Sequence, residues 1–84
     1  MKEIAYTRTA QKTLSRIPRN IALRIREKIR SFAEDPVSQA NNVKALRGFE
    51  GLIRLRVGDW RVIMRDGVVI EVLEIKARGS AYKE

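Results

Sequence analysis

Apolar residues between positions 10 and 32 recur with the spacing of two consecutive amphipathic helices. The first stripe consists of Ala10, Leu14 and Ile17, and the second consists of Ile21, Ile25, Ile29 and Phe32. Pro18 ends the first helix, and Asp35–Pro36 ends the second because the residue before a proline disfavours helical angles. Since the connection between them is so short, the two helices are predicted to pack as a hairpin.

Outside this region the pattern alternates with a period of two, as it does in β-strands. A short strand is predicted over Lys2–Tyr6, after which Thr7 can cap the first helix. Further strands are predicted over Leu52–Val57, Trp60–Arg65 and Val68–Ile75. Gly58–Asp59 indicates a tight turn, and Asp66–Gly67 is typical of a type I′ hairpin.

This order of elements, β-α-α-β-β-β, predicts an α+β fold. We expect an antiparallel β-sheet of about four strands with the N-terminal helical hairpin packed on one face. Residues 1–84 show no internal repeat, linker or low-complexity segment, so we expect a single domain.

The composition excludes several classes of protein. Of the 84 residues, 44% are hydrophobic and 33% are charged, a balance typical of a folded globular chain. No apolar run is long enough to cross a membrane, and the N-terminal residues do not resemble a signal peptide, so we expect a cytoplasmic protein without membrane association. The chain has no histidine and no cysteine, which removes the common zinc ligands and the usual nucleophile pairs. We therefore expect neither a metal nor a cofactor, and any catalysis must use Arg, Lys, Tyr, Glu, Asp or Ser.

The charge balance favours a polyanionic partner. Lysine and arginine number 18 against 10 acidic residues, which gives a net charge of +8 on a small surface. Nucleic acid is the leading partner class, because backbone phosphates attract such a surface. A basic surface that serves solubility alone is the simpler alternative. Attachment to a membrane surface is less well supported, since no predicted helix pairs exposed aromatic residues with a lysine face.

The positive side chains of the predicted strands fall on one side of the sheet. Alternation along Leu52–Val57 places Arg54 and Arg56 opposite the apolar residues, and Arg61, with Arg65 beyond it, extends this face on the next strand. Guanidinium groups bind phosphate oxygens with two parallel hydrogen bonds and can stabilise the charge that develops during phosphoryl transfer. Antiparallel sheets also need polar residues on their open face, and the residues alone leave both interpretations open.

Arg78 and Tyr82 follow the last predicted strand, where a tail can fold over the open face. A tyrosine there can stack on a base or form a hydrogen bond with a reacting hydroxyl, although a surface tyrosine without a role is equally compatible with the sequence. Trp60 is interpreted as a residue of the core or its rim. Glu71 and Glu74 are assigned to opposite faces of their strand, so no carboxylate pair is predicted.

Several short segments follow one another in a fixed order: Lys44–Gly48, Leu52–Arg56, Gly58–Met64 and Val69–Ile75, and then Arg78 and Tyr82. Together they resemble the RelE/ParE superfamily of toxins from type II toxin-antitoxin systems. The similarity extends over nearly the whole chain. It implies an antiparallel sheet with an N-terminal helical hairpin and a small acidic antitoxin as partner. Operator DNA is a further implied partner, contacted through the antitoxin complex.

RelE-type members of this superfamily cut mRNA in the A site of the 70S ribosome without a metal, and the 2′-hydroxyl of the RNA attacks the adjacent phosphate. By position, the resemblance implies that Arg54 is a basic residue on the second sheet strand and that Arg61 stabilises the phosphate. It further implies that Arg78 lies near the leaving oxygen and that Tyr82 orients or stacks on the substrate. These four are the expected catalytic residues. The expected RNA-binding residues are Lys44, Arg47, Arg56, Arg65, Lys76 and Lys83.

The chain departs from this pattern where a general base is expected. Arg54 replaces a lysine proposed as the base, Leu52 replaces a second lysine, and arginine hardly ever loses its proton. Tyr82, a lysine such as Lys76 or Lys83, or ribosomal RNA remains for this role. ParE-type members instead poison DNA gyrase without a ribonuclease site, and a non-toxic RNA-binding module is a third alternative.

Overall fold

A strand, a pair of helices and a run of further strands follow one another in the computed structural model, which describes residues 1–48 and 50–78. The strands and α-helices are β1 (Glu3–Tyr6), α1 (Arg8–Arg16), α2 (Arg19–Glu34), β2 (Val43–Ala45), β3 (Leu52–Val57), β4 (Trp60–Asp66) and β5 (Val69–Ala77). A 3₁₀ segment over Pro36–Asn42 joins α2 to β2. The predicted α+β order with its N-terminal helix pair is confirmed.

The described strands form a five-stranded sheet in the order β1-β5-β4-β3-β2. Neighbours from β5 to β2 are antiparallel, as predicted, whereas β1 runs parallel to β5 and makes the sheet mixed. The strand that sequence periodicity did not reveal is β2, which pairs Val43 with Leu55 and Ala45 with Ile53 at the sheet edge. With three residues, it is too short to show an alternating pattern.

The helix stripes cover one face of the sheet. Ala10 and Leu14 of α1 and Ile25, Ile29 and Phe32 of α2 are buried, as their spacing predicted. They pack against the buried strand residues Leu55, Val57, Val62, Met64, Ile70, Val72 and Ile75. Burial of this apolar surface is the main source of stability, and it leaves the other face of the sheet open.

Thr7 joins the end of β1 to both α1 and β5. As predicted, it caps α1: its Oγ1 accepts a hydrogen bond of 3.1 Å from the backbone N–H of Ala10. The same hydroxyl donates to the carbonyl oxygen of Leu73 over 2.7 Å. One side chain therefore fixes the start of the helix layer relative to the sheet.

The two hairpin turns differ from each other. Gly58, with φ of 59°, and Asp59 form a two-residue loop between β3 and β4. The type I′ turn predicted at Asp66–Gly67 is wrong, because such a turn needs positive φ at both central residues and neither residue has it. Instead, Asp66 pairs with Ile70, so three residues separate this last cross-strand pair of β4 and β5.

A β-bulge interrupts the pairing of β4 with β5. The register steps from Ile63 opposite Glu74 to Met64 opposite Val72, so Leu73 is an extra residue of β5. Strict alternation along β5 does not continue through this point. Each residue beyond the bulge therefore lies on the opposite face from the one that a regular strand would give it.

The bulge overturns the expected placement of the two glutamates. Glu71 lies opposite Arg65 and Glu74 lies opposite Ile63, and residues directly opposed in an antiparallel pair share a face. Both carboxylates are therefore on the open face, where Glu71 forms an ion pair of 3.7 Å with Arg65. Sequence periodicity could not predict this, because the extra residue is visible only in the pairing with β4.

Candidate nucleic-acid interface

Basic side chains from three neighbouring strands lie on the open face of the sheet. Lys44 on β2 is opposite Arg54 on β3, and Arg56 on β3 is opposite Arg61 on β4. Opposed residues share a face, and Leu55 between the two β3 arginines is buried under the helices. The register therefore brings these four cations together on the face that the helices leave open.

The side chain of Arg61 is nearly buried, with 6% of its surface exposed. Its Nη1 donates hydrogen bonds of 3.0 Å to the carbonyl oxygens of Gly58 and Trp60. Arg61 lies on the open face, as alternation along the strand predicted, but its side chain is not exposed to solvent. The reason is local: the side chain folds back over the β3–β4 turn, whose carbonyl groups hold one end of the guanidinium.

The β3–β4 turn also positions Arg78. The backbone N–H of Arg78 donates to the carbonyl oxygen of Asp59 over 2.7 Å, which fixes the chain directly after β5 against the turn. The side chain of Arg78 is exposed. Carbonyl groups of two adjacent turn residues thus hold Arg61 and Arg78 at the same end of the sheet.

Two adjoining clefts are lined by all of these cations. The helix-side cleft has a volume of about 670 Å³ and is lined by Arg24, Lys28, Asn42, Arg56, Val57, Gly58, Asp59, Arg61 and Arg78. The sheet-side cleft has a volume of about 360 Å³ and is lined by Asn41, Asn42, Val43, Lys44, Arg54, Arg56 and Arg61. Asn42, Arg56 and Arg61 contribute to both clefts, so Arg61 lies between Arg54 on one side and Arg78 on the other.

A short polar network orients Arg56. Its Nη2 donates a hydrogen bond of 3.1 Å to Oδ1 of Asn42, and Nδ2 of Asn42 donates over 3.2 Å to Oε1 of Gln39. Gln39 is buried, with 6% of its surface exposed. An exposed arginine is thereby tied to the interior through two amides, which limits the conformations that it samples.

Three predicted RNA-binding residues do not line the clefts. Arg47 is exposed in the loop after β2, and Arg65 lies toward the far end of β4 with its ion pair to Glu71. Lys76 lies opposite Arg61 on β5, but its Nζ forms an ion pair of 3.6 Å with Glu74. Tyr82 and Lys83, also predicted as site residues, lie outside the described residues.

Sequence reasoning missed several polar and charged residues that line or support the clefts, among them two amides and two cations. Gln39 and Asn42 gave no signal, because the segment that contains them reads as an ordinary polar loop. Arg24 and Lys28 are spaced by one helical turn beside the apolar stripe, which is visible in the sequence. Nothing in the sequence places that side of α2 next to the β3–β4 turn.

Burial raises the pKa of Tyr6 above its ordinary value, while the positive charges of Arg26 and Arg30 act in the opposite direction. The guanidinium of Arg26 lies 5.0 Å from the centre of the Tyr6 ring, within the range of a cation–π contact. Tyr6 packs against the core on the helix side of the sheet and lines neither cleft. Its hydroxyl therefore belongs to the packing of β1 against α2.

Residues 1–48 and 50–78 contain no group of three or more acidic side chains that could hold a metal ion. In the same residues, no helix is long and apolar enough to cross a membrane. Among the cleft-lining residues, Asp59 is the one carboxylate, and the charged groups around it are guanidinium and ammonium groups. The arrangement can attract anions and stabilise negative charge that builds up on a bound phosphate.

A helix hairpin on one sheet face and a cluster of arginines on the other define a small basic α+β protein with an anion-attracting surface. The family described as "ParE toxin of type II toxin-antitoxin system, parDE" matches residues 4–82. The chain belongs to this family, which confirms the resemblance to the RelE/ParE superfamily. It is a toxin of a type II toxin-antitoxin system.

Solved structures of RelE toxins share the fold. The chain is similar to one in the archaeal RelE–RelB complex from Pyrococcus horikoshii OT3, with 28% identity over 93% of this chain and 96% of that chain and a TM-score of 0.79. For the RelB–RelE antitoxin–toxin complex from Methanococcus jannaschii, identity is 23%, coverage is 94% and 95%, and the TM-score is 0.75. For the intact E. coli RelBE complex, identity is 17% over 92% of this chain and 96% of that chain, and the TM-score is 0.76. No curated protein sequence matches the chain.

Proposed function

We propose that this toxin is a metal-independent endoribonuclease that cleaves mRNA in the ribosomal A site. The observation that supports the proposal best is the setting of Arg61, whose guanidinium is held by the carbonyls of Gly58 and Trp60 between two clefts lined by other cations. A charge that is already fixed in place needs no reorganisation when negative charge develops on a phosphate. The fold alone cannot assign the function, since one fold serves different targets.

In the proposed reaction, the 2′-oxygen of one nucleotide attacks the adjacent phosphorus atom while the bond to the 5′-oxygen of the next nucleotide breaks. The 2′-hydroxyl gives up its proton and the departing 5′-oxygen takes one up, so the products are a 2′,3′-cyclic phosphate and a 5′-hydroxyl end. The pentacoordinate intermediate stage carries extra negative charge on its equatorial oxygens. Arg61 stabilises that charge, with Arg54 and Arg78 on either side.

The residue that accepts the 2′-hydroxyl proton is not an arginine, because a guanidinium stays protonated. Lys76 is one candidate, since it lies directly opposite Arg61, although it is paired with Glu74. Tyr82 and Lys83, in the chain beyond Arg78, are further candidates, and ribosomal RNA can also supply the base. Tyr82 is proposed to orient the substrate or stack on a base.

A small acidic antitoxin is the proposed protein partner in the cytoplasm. The P. horikoshii and M. jannaschii structures are complexes of RelE with RelB, and the open basic face of this chain is complementary to an acidic chain. We propose that a partly disordered antitoxin folds as it binds there and that the complex contacts operator DNA. Harmless expression of the toxin without any antitoxin would contradict this assignment.

Poisoning of DNA gyrase is the second candidate function, because the matching family is described by its ParE toxins. Cells that express the toxin are to be analysed by mapping of RNA 5′ ends and by a gyrase cleavage assay side by side. Ribonuclease action predicts mRNA cuts at ribosomal A sites and no gyrase-linked DNA breaks. DNA breaks without mRNA cuts would replace the ribonuclease proposal by the gyrase one.

The Arg61→Ala variant tests the site itself. We expect cleavage by purified toxin on ribosomes to fall by roughly 100-fold or more, as it does when a fixed charge-stabilising donor is removed. Arg65→Ala is the matched control, because it removes the same side chain from the same strand outside the clefts. Circular dichroism and a thermal melt establish that each variant is folded at the assay temperature, and Arg61→Lys serves as a second variant that keeps the charge.

A further inference from the structure

Helix α2 contributes two cations to the helix-side cleft. Arg24 and Lys28 are spaced by four residues, so their side chains lie one above the other on the helix surface, with an axial rise of about 6 Å between them. Arg24 is exposed and Lys28 is half-buried. Among the described residues, neither forms an ion pair, so both charges are available to a ligand.

The packing of α2 on the sheet brings these two side chains to the cleft. Ile25 and Ile29, the next residues along α2, are buried against the sheet, which leaves Arg24 and Lys28 beside the buried stripe. On that side, α2 meets the β3–β4 turn, and Arg24 lines a smaller adjoining pocket together with Gly58 and Trp60. The helix-side cleft therefore passes around the end of the sheet, from Arg56 and Arg61 on the open face to the helix layer.

The lining of this cleft matches a phosphate backbone better than a peptide. It contains five cationic side chains and one carboxylate, that of Asp59, and its aliphatic residue, Val57, is buried. Stable protein interfaces are centred on apolar or aromatic anchors. The exposed apolar residues Leu23, Val37 and Val68 are not among the lining residues.

We propose that Arg24 and Lys28 bind backbone phosphates of RNA that lie next to the phosphate at Arg61. This inference rests on the proposed ribonuclease function and extends its site from the sheet to the helix layer. The two side chains hold the RNA in register and take no part in bond breaking. The phosphates can belong to mRNA or to ribosomal RNA, since both present the same phosphodiester chemistry.

The test is the double variant Arg24→Gln/Lys28→Gln. Its matched control is Lys12→Gln/Arg16→Gln, which removes one lysine and one arginine at the same spacing from exposed positions of α1. Binding of a fluorescent single-stranded oligoribonucleotide is measured over a range of salt concentrations. Each lost phosphate contact lowers the slope of log Kd against log salt by about 0.7, so we expect a decrease of about 1.4 for the α2 variant and none for the control.

Binding to ribosomes without mRNA, compared with binding to the free oligoribonucleotide, identifies the source of the phosphates. Weaker binding of the free oligoribonucleotide assigns the site to mRNA, whereas weaker binding only to ribosomes without mRNA assigns it to ribosomal RNA. In cleavage on ribosomes, the α2 variant should raise KM and leave kcat unchanged. A lower kcat with unchanged KM would overturn the positioning role.

The outcomes separate this inference from the proposed function. If the α2 variant behaves like its control in every assay while Arg61→Ala abolishes cleavage, the inference is wrong and the ribonuclease function stands. If the parent toxin does not cleave RNA, the ribonuclease function fails, and binding of the oligoribonucleotide and of ribosomes without mRNA still decides whether Arg24 and Lys28 bind RNA phosphates. Binding of polyglutamate, an acidic peptide, is measured in parallel. If the α2 variant loses polyglutamate binding but binds RNA as the parent does, the inference is overturned in favour of an acidic peptide site.

Discussion

Arg56 and Arg61 occupy directly opposed positions on β3 and β4, so two arginines form a cross-strand pair on the open face. Like charges in such positions destabilise a sheet. Each guanidinium has its own partner: Asn42 accepts a hydrogen bond from Arg56, and the carbonyl oxygens of Gly58 and Trp60 accept from Arg61. The two positive charges favour binding of an anion, whereas their mutual repulsion lowers the stability of the fold.

Replacing Arg56 should therefore stabilise the protein and weaken its activity. We expect Arg56→Gln to raise the free energy of unfolding by about 0.2–1 kcal/mol, the usual size of a cross-strand pair effect. RNA binding should weaken, because both clefts lose a cation. Arg65→Gln is the control, since Arg65 lies opposite Leu52 on β3 and no repulsion is relieved; it loses only an exposed ion pair with Glu71, so its stability should stay the same or fall slightly. Urea unfolding of the two variants makes the comparison, and equal or lower stability of Arg56→Gln would contradict the prediction.

The burial of Arg61 has its own effect on stability. We expect Arg61→Ala to lower the free energy of unfolding by about 1–3 kcal/mol, because two carbonyl groups lose their donor and packed volume is lost. For Arg65→Ala, whose side chain is exposed, the change should stay within about 0.5 kcal/mol. Urea unfolding measured in parallel with cleavage separates the two roles of Arg61. A fully stable Arg61→Ala protein would show that the turn carbonyls do not depend on this side chain.

The raised pKa of Tyr6 predicts that the protein loses stability in alkaline solution. Since burial raises its pKa in the folded state above the value of about 10 in the unfolded chain, its neutral form stabilises the fold fully below pH ~10. This contribution is lost as the pH rises through the higher pKa of the folded state. Tyr6→Phe keeps the ring against Arg26 but has no proton to lose, so its stability should fall less between pH ~8 and pH ~11. Parallel losses in the parent and in Tyr6→Phe would refute the assignment.

The role of Tyr82 can be separated into stacking and hydrogen bonding. We expect Tyr82→Ala to lower cleavage on ribosomes, because the alanine removes both the ring and the hydroxyl. Tyr82→Phe retains the ring, so it should cost less than alanine if stacking dominates, and equally much if the hydroxyl carries the proton. Single-turnover cleavage rates compare the three proteins. Unchanged rates in both variants would remove Tyr82 from the site.

Local patterns were sufficient for the layers of the fold. The 3.6-residue stripe that contains Ile25 and Ile29 predicted which side of α2 is buried, and alternation along β3 and β4 predicted that Arg54, Arg56 and Arg61 share a face. These features depend only on neighbours in the chain. The family resemblance rests on short motifs in a fixed order, which are also visible in the sequence, and it was confirmed by the family match over residues 4–82.

Features that depend on the conformation of a turn, or on the pairing and packing of distant residues, were not predictable. The burial of Arg61 requires the carbonyl groups of the β3–β4 turn to face its side chain, and the shared face of Glu71 and Glu74 requires a bulge in the pairing with β4. The contribution of Arg24 to the cleft requires the packing angle of α2 on the sheet. None of these relationships leaves a periodic trace in the sequence.

The position of β1 in the sheet affects how the toxin is made. This strand precedes the helices and the other described strands in the chain, yet its neighbour in the sheet is β5, and hydrogen bonds from Lys2 to Asp66 and from Thr7 to Leu73 span 64 and 66 positions. Pairings of such long range form only after the chain between them exists. Arg78 follows β5 directly, so the helix-side cleft is completed at the same late stage. A growing chain therefore carries no finished cleft until β5 and Arg78 have been synthesised.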